Sequence, residues 1–207
     1  ITSGAYPGAA VVIGRRGFSV WQKGYGRLDW SSKSAAVDPA ESIYDLASLT
    51  KVVALTTAAM ILYDEGKLPL ESRVVDYIPE FVGANKDRVT IKHLLSHRSG
   101  LPAGRQLWKT ASTPAQARAQ VLETSLQNAP GRVFNYSDLG PAVLGMVIER
   151  ITGKTLDAFV TERVFFPLGM ADTEYLPDAS LKPRIAPTNA TPPRGYPVHG
   201  EVDDEAA

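Results

Sequence analysis

Read for the spacing of apolar and polar positions, the chain opens with strand-like sequence and continues with helix-like sequence. Gly8 to Ile13 is small and β-branched, and Phe18 to Tyr25 alternates in part. Gly14-Arg-Arg-Gly17 lies between them, which predicts a β-hairpin with a glycine-bounded turn. A polar stretch from Asp29 to Ser42 follows. From Leu46 to Tyr63 the only charge is Lys51. That run predicts a long helix over roughly 49–65, stopped by Gly66 and Pro69. Ser48, Thr50, Thr56 and Thr57 interrupt its apolarity, and turn-forming sequence flanks it. A buried core helix therefore fits better than a membrane span.

Further helices are predicted downstream. Asp76 to Phe81 reads as a short helical turn, and Thr90 to His97 as a short helix stopped by Gly100 and Pro102. Ser112-Thr113-Pro114 places an N-cap before a first-turn proline and opens a helix to about Ser125. Val143, Leu144, Val147 and Ile151 are helically spaced within Leu139 to Thr152, which Gly153 ends. Thr155 to Val164 is one more helix, bounded by Pro167 and Gly169. The proline-rich stretch from Asp172 to Ala207 reads as loop, with a solvated acidic end at Glu201 to Glu205. Two strands alone make a marginal sheet. Either helices bury the hairpin, or further strands belong to it.

Composition narrows the classes. Apolar residues make up 44% of the 207 and charged residues 21%, enough for a packed soluble core. Lys plus Arg and Asp plus Glu both number 22, and basic residues do not cluster. No footprint for nucleic acid or an anionic membrane is expected. The absence of cysteine excludes disulfides, thiolate metal sites and a Cys nucleophile. Gly24-Tyr-Gly26 lacks the third glycine and following helix of a dinucleotide fingerprint.

Two constellations could carry chemistry. Ser48 and Lys51 form the only Ser-x-x-Lys in the chain and start the long apolar helix, one turn apart on one face. A neutral amine can take the proton of a serine hydroxyl, and burial depresses a lysine pKa and so supplies that amine. The helix start also offers backbone N–H groups to a developing oxyanion. The plainer alternative is a snorkelling lysine and a capping serine. Tyr136, in Asn135-Tyr-Ser-Asp138, precedes the helix over 139–152. It could shuttle protons beside a cation such as Lys51, or merely pack there while Ser137 or Asp138 caps the helix. His93 and His97 are spaced i, i+4. Leu94 stands where a zinc protease needs glutamate, and only His199 remains as a third imidazole, so packed or surface histidines are expected and no metal.

Taken in order, several segments resemble the serine β-lactamase and penicillin-binding-protein family, in its class C-like branch of esterases and D-alanyl-D-alanine carboxypeptidases. They are Pro7-Gly-Ala-Ala-Val-Val12, Tyr44-Asp-Leu-Ala-Ser-Leu-Thr-Lys51, Ile91 through Pro102, Phe134-Asn-Tyr-Ser-Asp138, and Pro167-Leu-Gly-Met170 followed by Asp172-Thr173. The resemblance implies an α+β fold of the β-lactamase/transpeptidase type, with a helical subdomain packed beside an antiparallel sheet. It makes Ser48 the acylated nucleophile, Lys51 its base partner, Tyr136 a proton shuttle and the Ser48 N–H half of an oxyanion hole. It implies no cofactor, a small-molecule or peptidoglycan-peptide substrate, and a periplasmic or extracellular location. A penicillin sensor that acylates without efficient turnover, or an inactive fragment, is the competing reading.

Two departures modify that expectation. Asp138 stands where many relatives carry asparagine. A carboxylate accepts hydrogen bonds but cannot donate one to a substrate amide, and it pairs with Lys51 and keeps it charged. The family's later Lys- or His-x-Gly strand is not matched by Tyr196-Pro-Val-His-Gly200. The chain is therefore expected to be the N-terminal portion of one such domain, whose C-terminal strands lie elsewhere in the same protein. Its expected divisions are 1–47 (first strands and lead-in), 48–170 (helical subdomain) and 171–207 (loop-rich).

Overall fold

A computed structural model describes residues 1, 3–188 and 195–204. The end of the acidic tail, residues 205–207, lies outside them. The chain divides into two compact units. One combines residues 1–47 with the stretch from Glu174 onward, and the other is Ser48–Thr173.

In the first unit, strands β1 (Gly8–Arg15) and β2 (Phe18–Gly26) pair antiparallel. Arg15 pairs with Phe18, so the turn is tighter than the four residues expected. Arg16 (φ 52°) and Gly17 (φ 79°) form it alone, both left-handed, the conformation whose twist matches a two-residue hairpin. The register shifts by one between Ile13 and Gly14, leaving Val20 as the extra residue of a bulge. Val12, Ile13, Phe18 and Val20 are all more than half exposed. The unit's small core is Leu28, Val37 and Ala186. Ile43 bridges in parallel to Ile185, through Ile43 N–H to Arg184 O (2.9 Å) and Ala186 N–H to Ile43 O (2.8 Å). Within the stretch read as loop, Ala179–Arg184 is instead a 3₁₀ segment, opened by Asp178, whose carboxylate accepts the Ser180 N–H.

The second unit is helical. The long apolar segment is one continuous helix of three kinds: a 3₁₀ turn at Ala47–Leu49, a π-helical turn at Lys51–Thr56, and α1 (Thr57–Asp64). The Thr56 hydroxyl donates to Lys51 O (2.7 Å) and the Thr57 hydroxyl to Val52 O (3.1 Å), each five residues back. This helix is long and apolar enough to cross a membrane by length and composition. It buries Ala54, Leu55, Ala58, Ala59 and Leu62. The turn expected over 76–81 falls earlier, at Val74–Asp76. Helices α2 (Ile91–Leu95), α3 (Leu107–Thr110), α4 (Pro114–Glu123), α5 (Leu139–Thr152) and α6 (Leu156–Val160, running into a π turn at Thr161–Phe165) follow.

Helix α5 is the centre of this unit. The π turn of the long helix and α2, α4 and α6 all pack on it. It buries residues around most of its circumference: Leu139, Gly140 and Val143 through Ile148. Such all-round apolarity is what a central helix needs. Gly153 ends it in the left-handed conformation (φ 67°). Thr113 caps α4 as expected, accepting the Gln116 N–H with Pro114 in the first turn. The buried Lys86 ammonium donates to Leu122 O, one of the last carbonyls of α4 (2.5 Å).

Candidate active site

The four residues singled out in the sequence all lie in the helical unit, and they meet at one nitrogen. Lys51 Nζ is 3.0 Å from Ser48 Oγ and 2.7 Å from Asp138 Oδ1, and it lies 5.2 Å from the centroid of the Tyr136 ring. Ser48 is exposed, in the middle of the 3₁₀ turn, and follows Ala47, itself left-handed (φ 44°). A non-glycine residue in that region is held there against a cost of order 1–3 kcal/mol. The Asp45 carboxylate holds the Ala47 N–H (2.7 Å).

The state of Lys51 differs from the expectation of a burial-depressed amine. Burial does pull its pKa down. Hydrogen bonding and charge interaction with Asp138 and Tyr136 act the other way and win, so the net shift is upward. The reason is geometric. Lys51 keeps about a fifth of its side-chain surface in solvent, and a carboxylate sits in direct contact. The ammonium donates to Ser48 in this arrangement and does not accept.

Asp138 makes no capping hydrogen bond to α5. Ser137 caps instead: its buried Oγ accepts from Leu139 N–H (3.1 Å) and Gly140 N–H (3.4 Å) and donates to Pro102 O (2.6 Å). Asp138 is thereby free to turn its carboxylate to Lys51. Tyr136 is about half exposed. Its ring lies against the His97 imidazole, with centroids 4.5 Å apart.

What holds Tyr136 and Asp138 in place is a second segment, His97–Ala103, that the sequence reading used as a landmark without giving it a role. It runs alongside Gly131–Asp138. His97 O accepts Asn135 N–H (2.9 Å), Arg98 O accepts Gly131 N–H (2.8 Å), and Leu101 O accepts from the Asn135 side chain (3.0 Å). Ala103 O accepts Asp138 N–H (2.8 Å). Gly100 (φ 86°) makes the close approach possible, since a Cβ there would fall 2.1 Å from Asn128 O. His93 and His97 each accept a backbone N–H at Nδ1, from Thr90 and Ser137 respectively, both at 3.2 Å. His199, in the first unit, contacts Lys182 O and Ile185 O through Nε2.

Comparison with known proteins places the fold. The Beta-lactamase family matches residues 1–207, and the chain belongs to that family. Its relatives include the "Putative D-alanyl-D-alanine carboxypeptidase" of Escherichia coli (strain K12), 33% identical over 190 residues, which are 83% of this chain and 44% of that protein. The N-acetylmuramyl-L-alanine amidase of Bacillus subtilis (strain 168) is 29% identical over 86% of this chain and 45% of its own length. Among solved structures, a class C beta-lactamase superposes with a TM-score of 0.83 at 22% identity, covering 99% of this chain and 55% of that one. The fold is of the β-lactamase/transpeptidase type, and the chain spans about half the length of the proteins it matches.

Proposed function

We propose that this chain carries the nucleophile side of a serine hydrolase that works through an acyl-serine formed on Ser48. The convergence of Ser48, Asp138 and Tyr136 on the Lys51 nitrogen is the observation that carries the reading. Ser48 Oγ attacks an acyl carbonyl carbon, and the bond to the leaving group, C–O in an ester or C–N in a β-lactam or peptide, breaks after the tetrahedral stage. The Ser48 N–H, at the start of the long helix, is one donor to the oxyanion. The serine proton passes into the Lys51–Tyr136 pair and on to the leaving group. Water then takes the place of the leaving group and the steps run in reverse, freeing Ser48. Because the resting Lys51 is an ammonium paired with Asp138, the pair must first lose one proton. That loss belongs to the coupled pair, not to one residue.

The substrate is an acyl compound: an ester, a β-lactam or a D-Ala-D-Ala-like peptide. The cell-wall-related names of the Escherichia coli and Bacillus subtilis relatives favour the last, while Asp138, an acceptor without a donor, favours esters. A second reading draws on the same carboxylate. If Asp138 holds Lys51 charged after acylation, deacylation is slow and the protein senses penicillins without turning them over.

A fluorescent phosphonate should label a peptide containing Ser48, and Ser48→Ala should abolish labelling; survival of the label removes the assignment. Lys51→Met and Tyr136→Phe should each slow labelling about 10²–10⁴-fold. Their combination should cost far less than the product, because the two act as a unit. Strict additivity contradicts the shared role. Turnover of a chromogenic ester separates hydrolase from sensor, which would instead accumulate a stable acyl-serine.

A further inference from the structure

The feature that the proposed chemistry leaves unused is His97. It is a non-glycine residue in the left-handed region (φ 53°), half-buried, at the head of the segment that cradles Tyr136. Few residue types sit there without strain, and histidine, asparagine and aspartate are the enriched ones. Three contacts of His97 converge on Asn135–Ser137. Its carbonyl takes the Asn135 N–H (2.9 Å), its Nδ1 takes the Ser137 N–H (3.2 Å), and its ring lies 4.5 Å from the Tyr136 ring between them. Phe134 meets the other side of the imidazole edge-on, with centroids 6.1 Å apart. The ring is thus gripped by the residues on both sides of Asn135, and it grips Tyr136 in return.

We infer that His97 is a positioning residue for Tyr136: its neutral imidazole, by accepting the Ser137 N–H and stacking on the phenol, holds Tyr136 beside Lys51, and protonation of the ring releases it. The inference rests on Tyr136 and Lys51 acting together on Ser48.

The chemistry of the release follows from the hydrogen bond. A nitrogen that accepts from a backbone N–H carries no proton, so the proton of this imidazole is on Nε2. Protonating Nδ1 turns an acceptor into a donor facing another donor. The Ser137 N–H is then left without its partner, which is costly for a buried group. The new charge also faces Lys51 on the π turn. The remaining ionisable groups near the ring are Tyr136 and Asp138 on the segment before α5, and, along its own stretch of chain, His93 on α2 and the adjacent Arg98. Burial first, and then the Lys51 charge, hold the His97 imidazole below its ordinary range, against a weaker pull from Asp138 and the Ser137 bond. At neutral pH the ring is therefore the holding form. The release falls below a pH of about 6.5, the ordinary histidine value.

Two substitutions separate the two contacts. His97→Asn keeps a left-handed-tolerant residue and a side-chain acceptor near the position of Nδ1, and loses the ring. His97→Phe keeps a ring and loses the acceptor. In the full chain, phosphonate labelling of Ser48 should fall with pH as the Lys51–Tyr136 pair takes up its proton, and should steepen further below the midpoint of the His97 Hε1 resonance. His97→Asn should remove that added steepening, leave the dependence set by the pair, and keep the neutral-pH rate within about tenfold. His97→Phe should slow labelling by a factor approaching that of Tyr136→Phe, and should add almost nothing in the Tyr136→Phe background, as expected of a residue acting through Tyr136. A purely structural histidine would give the same loss in both backgrounds and leave the added steepening in His97→Asn; either result overturns the inference while leaving the Ser48 reading intact. Should His97→Phe not fold, the loss of the steepening in His97→Asn and its wild-type coincidence with the His97 midpoint decide. Labelling insensitive to Ser48→Ala or Tyr136→Phe overturns both readings together.

Discussion

At the scale of single residues, the charge on Lys51 is set by a carboxylate 87 positions away in the chain. The expectation that Asp138 pairs with Lys51 and keeps it charged comes with the family resemblance, which sets the Tyr136 segment beside the Ser-x-x-Lys. Burial and ion pairing push a lysine in opposite directions, and only the 2.7 Å contact decides between them. Removing the carboxylate charge in Asp138→Asn should let the Lys51 pKa fall. A deprotonated Lys51–Tyr136 pair then becomes available at lower pH, and the rise of ester turnover with pH should move to the acid side. The same change supplies an amide donor, so activity on penicillins or peptides should increase relative to small esters. A pH–rate profile for both substrate types checks this; an unmoved profile and ratio would reduce Asp138 to a surface ion pair.

Elements were legible where punctuation is strong. Helix α5 runs from Leu139 to Thr152 as the apolar spacing and Gly153 indicated, and Thr113-Pro114 opened α4 as the N-cap rule requires. Backbone detail was not legible. No local signature announces a π turn, since Thr56 and Thr57 reach back five residues only once the helix has formed. The 97–103 cradle was equally silent, because it is built from main-chain bonds to residues more than thirty positions on. Caps differ in worth by burial. Thr113→Ala removes one exposed cap bond and should cost about 1 kcal/mol. Ser137→Ala deletes a 1% exposed hydroxyl that serves two N–H groups and the Pro102 carbonyl. It should cost more, about 1–3 kcal/mol, through groups left buried without partners. Thermal unfolding of the two variants should rank them in that order.

For the molecule as a whole, sequence pattern found both the hairpin and the helices. The hairpin presents Val12, Ile13, Phe18 and Val20 to solvent. Long apolar strands of this kind are association-prone. The 207-residue chain should bind a hydrophobic dye and self-associate with concentration, and Phe18→Lys with Val20→Lys should reduce both; unchanged dye binding would locate the exposed surface elsewhere. The bridge between Ile43 and Ile185 has a different consequence, in time. It joins strands of chain separated by the whole helical unit, so on a ribosome the first unit cannot be completed until everything through residue 186 has emerged. The helical unit, contiguous in sequence and rich in near neighbours, can organise while synthesis is still under way, and in doing so shortens the loop whose ends must meet. Amide protection measured on stalled nascent chains should therefore appear in α5 before it appears at Ile43 and Ala186.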